Sequence, residues 1–222
     1  GIASGTSTSL AFGTNPTTGN LLLALVWLNT TADTFNTPTD TYGNTWVAAN
    51  ASAFSAAGPG QMFQAWATIN KGGSGTDTVT ATWSSTAATG DIVIAEYSGI
   101  TGSTPVFDGT WQTATGTGTT ISTPSFTPTI TGDLLLSAYL TVNSIGSVNS
   151  PWTQGNANLP GTGDGWGYMS GTTSSEPGAA TVSPSGSYGA VIFGIKAAGA
   201  AASFIAPPPL VIDQARVRAS FY

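Results

Sequence analysis

The chain has no cysteine and no histidine, and only four of its 222 residues are lysine or arginine. Without cysteine there are no disulfides, no thiolate nucleophile and no Cys-ligated metal. Without histidine the Ser-His-Asp and Cys-His constellations cannot be assembled, and zinc sites built from His or Cys are excluded as well. The four cations, Lys71, Lys196, Arg216 and Arg218, stand against ten Asp and Glu, for a net charge of −6. Neutralising phosphates takes several clustered Lys/Arg, so no nucleic-acid partner is expected. Anionic membrane surfaces are disfavoured on the same ground. The longest apolar run, Leu21 to Leu28, falls far short of the ~20 residues of a membrane-spanning helix. It reads as a buried strand, and no membrane partner is expected. No Gly-rich run carries the Lys-Ser/Thr of a phosphate loop. No basic segment followed by an apolar core opens the chain, so no signal peptide is expected in it; one was cleaved, or none was needed.

Charged residues make up 6% of the chain, against roughly 25% in an ordinary soluble domain. The polar surface must therefore come from Thr, Ser, Asn and Gly, residues that suit β-edges and tight turns. Seven Trp, six Tyr and nine Phe argue against disorder, which normally pairs low hydrophobicity with high net charge. A chain of this length buries a core as one large all-β domain or as two small ones.

A β-strand vocabulary appears twice. Gly19-Asn20-Leu21-Leu22-Leu23-Ala24 returns as Gly132-Asp133-Leu134-Leu135-Leu136-Ser137, Asn44-Thr45-Trp46 is echoed by Ser150-Pro151-Trp152, and Asp91 to Tyr97 is answered by Gly189 to Ile195. The separations shrink along the chain, from 113 (Gly19 to Gly132) through 106 (Trp46 to Trp152) to 98 (Asp91 to Gly189). Loop deletions in a duplicated module produce such a drift, whereas coincidence scatters the offsets.

Short strands alternate with turn clusters, and no helical stretch of convincing length occurs. Strands are expected near Leu10, over Leu21 to Leu28, at Thr45-Trp46-Val47, over Met62 to Ile69, over Thr78 to Trp83 and over Ile92 to Tyr97. In Thr78 to Trp83, Val79, Ala81 and Trp83 share one face. Ile100 to Thr120 reads as a packed Gly/Thr-rich connector. Further strands are expected near Ser125-Phe126, over Leu134 to Val142, over Trp166 to Met169, at Thr181-Val182 and over Ala190 to Ile195, with Gly155 to Gly167 the loosest loop. This density is the pattern of an all-β sandwich. Crossover helices are missing, which excludes parallel α/β.

Beyond residue 198, Pro207-Pro208-Pro209 forms a stiff spacer. Leu210 to Tyr222 then alternates like one more strand. Val211, Val217 and Phe221 lie on one face, while Arg216 and Arg218 lie on the other and are half of the chain's basic residues. Such an arm suits docking onto another subunit's sheet edge. It can equally fold back on its own sandwich.

Carboxylate pairs remain as a catalytic option, because glycosidases need only two Asp or Glu flanking a sugar. The candidates are Glu96, Asp108 and Glu176, and nothing in the spacing puts a second carboxylate in register. Asp33, Asn36, Asp40 and Asn44 offer oxygens to calcium, but their spacing does not match an EF-hand loop. Asx turns explain them without a metal and are preferred. No cofactor is expected. Of the tryptophans, Trp111 and Trp152 are read as loop residues and are the candidates for stacking on a glycan; the others read as core. Asn29-Thr30-Thr31 and Asn50-Ala51-Ser52 match the glycosylation acceptor pattern, which carries little weight in a Thr-rich chain.

The phrases Pro16-Thr17-Thr18-Gly19-Asn20-Leu21-Leu22, Asp40-Thr41-Tyr42-Gly43-Asn44-Thr45-Trp46, Ala95-Glu96-Tyr97-Ser98-Gly99-Ile100 and Tyr188-Gly189-Ala190-Val191 resemble a family of duplicated β-sandwich modules. Members occur in phage virion proteins and in secreted or surface proteins of environmental bacteria. The resemblance covers roughly residues 5–198. The closing Ala215-Arg216-Val217-Arg218-Ala219-Ser220-Phe221 is similar to the tails of phage structural proteins. The family carries no catalytic motif to transfer. The expected architecture is an antiparallel jelly-roll-like sandwich over residues 1–198, with pseudo-repeats at about 5–99 and 116–198. A C-terminal arm spans 199–222. Two independent Ig-like domains are the alternative. The expected function is that of a non-enzymatic structural subunit of a phage virion, a capsid decoration or tail/fibre component. It would assemble as a homo-oligomer or with other virion subunits through Val211, Arg216, Val217, Arg218 and Phe221. The alternative is an extracellular bacterial adhesin or carbohydrate-binding module, secreted or on the cell surface, that stacks a glycan on Trp111 or Trp152.

Overall fold

Thr, Val, Ile and aromatic side chains favour the pleated backbone, and every regular element among the described residues is a strand. Those residues are 5–84, 90–100, 102–155 and 163–197 of the computed structural model. In chain order the strands are β1 (Ser7–Ala11), β2 (Leu21–Leu28), β3 (Thr39–Asp40), β4 (Val47–Ala48), β5 (Phe54–Ala56), β6 (Gln61–Ile69) and β7 (Thr78–Thr82). They continue as β8 (Gly90–Tyr97), β9 (Phe107–Phe126), β10 (Leu134–Thr141), β11 (Ser144–Val148), β12 (Thr153–Gln154), β13 (Asp164–Ser170) and β14 (Glu176–Ile195). The chain divides into two units: the described residues of 5–53 and 62–105 form one, and those of 54–61 and 106–197 the other.

In the first unit, one antiparallel sheet has the order β1-β7-β3 and the other β4-β6-β2-β8. Strand β2 is buried at all eight positions. Its backbone is bonded on both sides over its whole length, from Leu21 opposite Ile69 and Tyr97 to Leu28 opposite Met62 and Gly90. Leu22, Ala24 and Val26 share a core with Ile92 and Ile94 of β8 and with Leu10, Val79 and Ala81 of the facing sheet. That is a β-sandwich. As the alternation predicts, Val79, Ala81 and Trp83 are all buried.

The second unit uses the same strand order with longer strands. Strand β10 is buried throughout and lies between β13 and the second half of β14; Leu134 is opposite both Ser170 and Ile195. The first half of β14 pairs with β11 on one side and with Ile121 and Ser122 of β9 on the other. A large register shift between Thr181 and Gly186 separates the two halves. Bulges of this kind let a strand turn the corner from one layer to the next. The core accordingly gathers Ile121, Ile145, Ala180 and Val182 from one layer with Tyr139 and Ala190 from the other. The echoed sequences therefore sit at matching register positions in the two units. Gly19 and Gly132, which lead into β2 and β10, both adopt positive φ, 88° and 98°, a conformation that favours glycine.

Two expectations are corrected. Residues 107–126, taken for the most part as a connector, form one 20-residue strand. The segments Thr181-Val182 and Ala190 to Ile195 belong to one strand, β14, of the same length. Alternating β-branched Thr in 110–120 is compatible with either state, and the long ladder between β9 and β14 decides for strand. The expected arm at 199–222, with Val211, Arg216, Val217, Arg218 and Phe221, lies outside the described residues.

The cores make a direct prediction. Leu22→Ala should destabilise the first unit by about 2–5 kcal/mol, read as a lowered midpoint in chemical denaturation. Val106→Thr, at a position 55% exposed, should change stability by less than ~0.5 kcal/mol.

Candidate functional site

Successive side chains on a strand alternate faces, so Met62, Gln64 and Trp66 of β6 point the same way. With the loops that follow β2 and β4, they line a cleft of about 370 Å³ in the first unit. Phe35 packs edge-on against Trp66, with ring centroids 5.6 Å apart at 74°, and these rings with Met62 form the apolar wall. The polar side is Asp33 and Gln64, which are 8% and 3% exposed. Gln64 donates through Nε2 to the carbonyls of Asn50 (3.0 Å) and Ala65 (3.4 Å). Those two bonds fix the amide, and its Oε1 has no partner among the described residues. Asp33 Oδ1 accepts from Ser84 Oγ at 2.9 Å, and its Oδ2 has no partner among the described residues. No lysine or arginine lines the cleft. The sequence reading missed this site; the available signal was a Gln in the middle of a strand that is otherwise largely apolar.

A second feature is the outer edge of β9. Among the described residues β9 pairs only with β14. Thr110, Gln112, Thr113, Thr115, Thr117 and Thr119 are exposed. Asp108 is the strand's one charged residue, so no Lys or Glu guards the edge in the usual way. The end of β14 lies beside the start of β9, Ile195 opposite Phe107. The chain therefore leaves the described residues next to one end of this edge.

A third is a buried carboxyl pair in the second unit. Asp108 accepts from Thr129 N at 2.6 Å and Thr129 Oγ1 at 2.7 Å, and Lys196 Nζ lies 3.4 Å away. Burial pushes the Asp108 carboxyl up, but these bonds, a hydrogen bond from Asp133 and the Lys196 charge outweigh it and hold the group below its ordinary value. Asp133 is fully buried and accepts from Ala197 N at 3.0 Å. Burial first, then the Asp108 carboxylate, raises its pKa. The two carboxyls are thus driven apart, Asp108 below its ordinary value and Asp133 above it. Asn20, which stands where Asp133 does in the other unit, donates Nδ2 to Glu96 Oε1 at 2.6 Å.

The carboxylates considered for glycosidase chemistry take separate places. Glu96 accepts from Thr17 N and Asn20, Asp108 pairs with Asp133, which sequence reasoning did not single out, and Glu176 lies opposite Phe126 in the β9–β14 ladder. Asp40 accepts from Asn44 N (2.9 Å), Asn44 Nδ2 (3.0 Å) and Trp46 Nε1 (2.8 Å), so the fold engages it without a metal, through bonds reaching four and six residues on and not the two of an Asx turn. Asp33 and Asn36 are engaged elsewhere, with Ser84 and Thr82. No group of three or more Asp or Glu side chains placed to hold a metal occurs among the described residues. Trp111 and Trp152 are not loop platforms. Trp111 is on β9 and buried, while Trp152 is packed with Phe126, Leu135 and Ile192 and donates Nε1–H to Pro177 O at 2.9 Å. A glycan would find no open ring face on either.

No protein-family model, no curated protein and no solved structure matches the chain.

The carboxyl pair yields a pH prediction. Asp133, raised in the folded state, binds its proton more tightly there than in the unfolded chain, so its contribution is lost as pH rises from the ordinary carboxyl value through the raised one. Asp108, lowered, acts oppositely, and its contribution is lost as pH falls below the ordinary value. Asp133→Asn keeps a donor toward Asp108 and an acceptor for Ala197. Melting at about pH 5 and about pH 8 should show the variant gaining on the wild type at the higher pH. An unchanged difference would refute the raised Asp133 carboxyl.

Proposed function

We infer that the chain is a non-enzymatic structural subunit, a pair of duplicated jelly-roll-like sandwiches that assembles by laying its C-terminal arm along the outer edge of β9 in another copy. The outer edge of the 20-residue strand β9, which pairs only with β14 among the described residues, carries this reading. An uncharged edge of such length invites pairing with a further strand, which main-chain hydrogen bonds hold and alternate side chains specify. The alternation of residues 210–222 supplies that strand: Val217 and Phe221 on one face, Arg216 and Arg218 on the other.

Pairing direction favours another copy over the same one. Strand β14 runs antiparallel to β9 and ends beside Phe107. An arm that turned back within its own chain onto the outer edge of β9 would run parallel to it. Parallel pairing is slightly less stable per residue, whereas an arm from another copy is free to approach antiparallel. The particle we propose is a phage virion, on the likeness of the sandwich phrases and of residues 215–221 to phage structural proteins. The scarcity of charge agrees with a subunit whose solubility and contacts must not depend on salt.

Light scattering coupled to chromatography tests the assembly. The full chain should form oligomers, and a chain stopped at Ala206 should be monomeric. Thr113→Lys with Thr117→Lys, at exposed positions of the edge, should also give monomers with the melting temperature unchanged. A monomeric full chain, or oligomers that survive truncation, would contradict the reading.

A further inference from the structure

The two ends of β9 meet around a small cleft of about 220 Å³ in the second unit. Thr110 and Gln112 line it from the start of the strand, and Ser125, Thr127 and Thr129 from its end and the turn beyond; all five are exposed. Phe126, 6% exposed, is the one ring in the lining. Asp108 also lines the cleft, but it is 2% exposed and already holds Thr129 and Lys196, so an arginine finds no free charge there. Gln112 Nε2 is spent on the Thr110 carbonyl at 3.1 Å. Residues directly opposite in a ladder share a face. Gln112 and Ala114 stand opposite Ile192 and Ala190, which belong to the core. Ala114, Gly116 and Gly118 are accordingly half-buried, whereas Thr113, Thr115, Thr117 and Thr119 on the other face are exposed. The core side of this edge is therefore built of small residues and ends at the cleft.

We propose that this cleft receives the Phe221 side chain of another copy, which fixes residues 210–222 antiparallel on the outer edge of β9 with Phe221 opposite Thr110. The placement rests on assembly through that edge and adds a register to it. Main-chain bonds alone accept many registers, and pockets for alternate side chains select among them. Alternation puts Val217 and Phe221 on one face of the arm and Arg216 and Arg218 on the other. Setting the arginines beside the exposed Thr115 and Thr113 keeps their charges in water and turns Phe221 toward the cleft. Neighbouring registers that keep these faces fit less well. Phe221 opposite Asp108 meets a buried carboxyl whose bonds are already made. Phe221 opposite Gln112 sets Val217 opposite Gly116, where the Tyr188 ring fills the room of a side chain; a Cβ on Gly116 would lie 2.6 Å from its hydroxyl. Phe221 opposite Thr110 instead sets Val217 opposite Ala114 and the small Ala215 opposite Gly116.

The chain has no cysteine, so a pair introduced into it reports the register directly. Directly opposite residues of an antiparallel ladder lie about 4.5–5.5 Å apart between Cα atoms, within the span of a disulfide. Diagonal neighbours lie about 7–8 Å apart, beyond it. On mild oxidation the full chain carrying Thr113→Cys and Arg218→Cys should give covalent dimers and larger species on a non-reducing gel. The chain carrying Thr115→Cys and Arg218→Cys, one step out of register on the same exposed face, should not. Phe221→Ala should raise the dissociation constant of the oligomer about tenfold or more, roughly 1.4 kcal/mol or above, with the melting temperature unchanged. The placement is overturned by cross-linking through Thr115 in preference, by no cross-link at either position, by a disulfide closed within one chain, or by Phe221→Ala associating as tightly as the unaltered chain. If light scattering still shows oligomers that are lost when the chain stops at Ala206, assembly through the arm outlives that failure; a monomeric full chain removes both.

Discussion

A strand buried on both faces must have its backbone hydrogen-bonded along both edges, since no water reaches it to satisfy the N–H and C=O groups. Strands β2 and β10 are the two places where the chain meets this demand, with every residue buried and every residue but Thr141 paired to a strand on either side. Register follows, because a slip of one residue would send Leu22, Ala24 and Val26 out of the core they share with the facing sheet. The flanking strands then fall into the same order in each unit, and both begin from a glycine in the left-handed region. What differs is the edge. In the first unit β8 ends its sheet among the described residues, whereas in the second the leading half of β9 adds one more strand beyond β14.

Scarcity of charge shapes the rest. With so few ionisable groups, several are spent as internal hydrogen-bond partners: Asp40 closes a turn, Glu96 receives Asn20, and Asp108 receives Thr129 and Lys196. Asn20 and Asp133 stand at the mouth of the central strand in the two units; the first donates to Glu96, and the second lies beside Asp108.

Much of the framework was legible in the residues. Leu21 to Leu28 could be read as a strand covered on both faces because its run is continuous and too short for a helix across a membrane, and its observed bounds are the same. The β9–β14 ribbon was not legible. Thr and Gly in 110–120 suit an exposed loop as well as an edge strand, and only a partner 70 or so residues away decides between them. The tryptophans misled for a related reason. Trp111 and Trp152 stand among turn formers in the sequence, yet burial is set by what packs over a ring, and Pro177 O with the Leu135 and Ile192 side chains cannot be foreseen from residue 152 alone. The cleft was hidden because its wall comes from β6 while its acid comes from the loop after β2.

A structural subunit that assembles by strand addition must protect the edge that receives the strand. Amide hydrogen exchange along β9 measures that protection in the full chain and in the chain stopped at Ala206. The account predicts that every second amide of residues 109–120, those facing away from β14, exchanges slowly in the full chain and rapidly in the shortened one, while the amides bonded to β14 stay protected in both. Equal exchange of the outward amides in the two chains would contradict it.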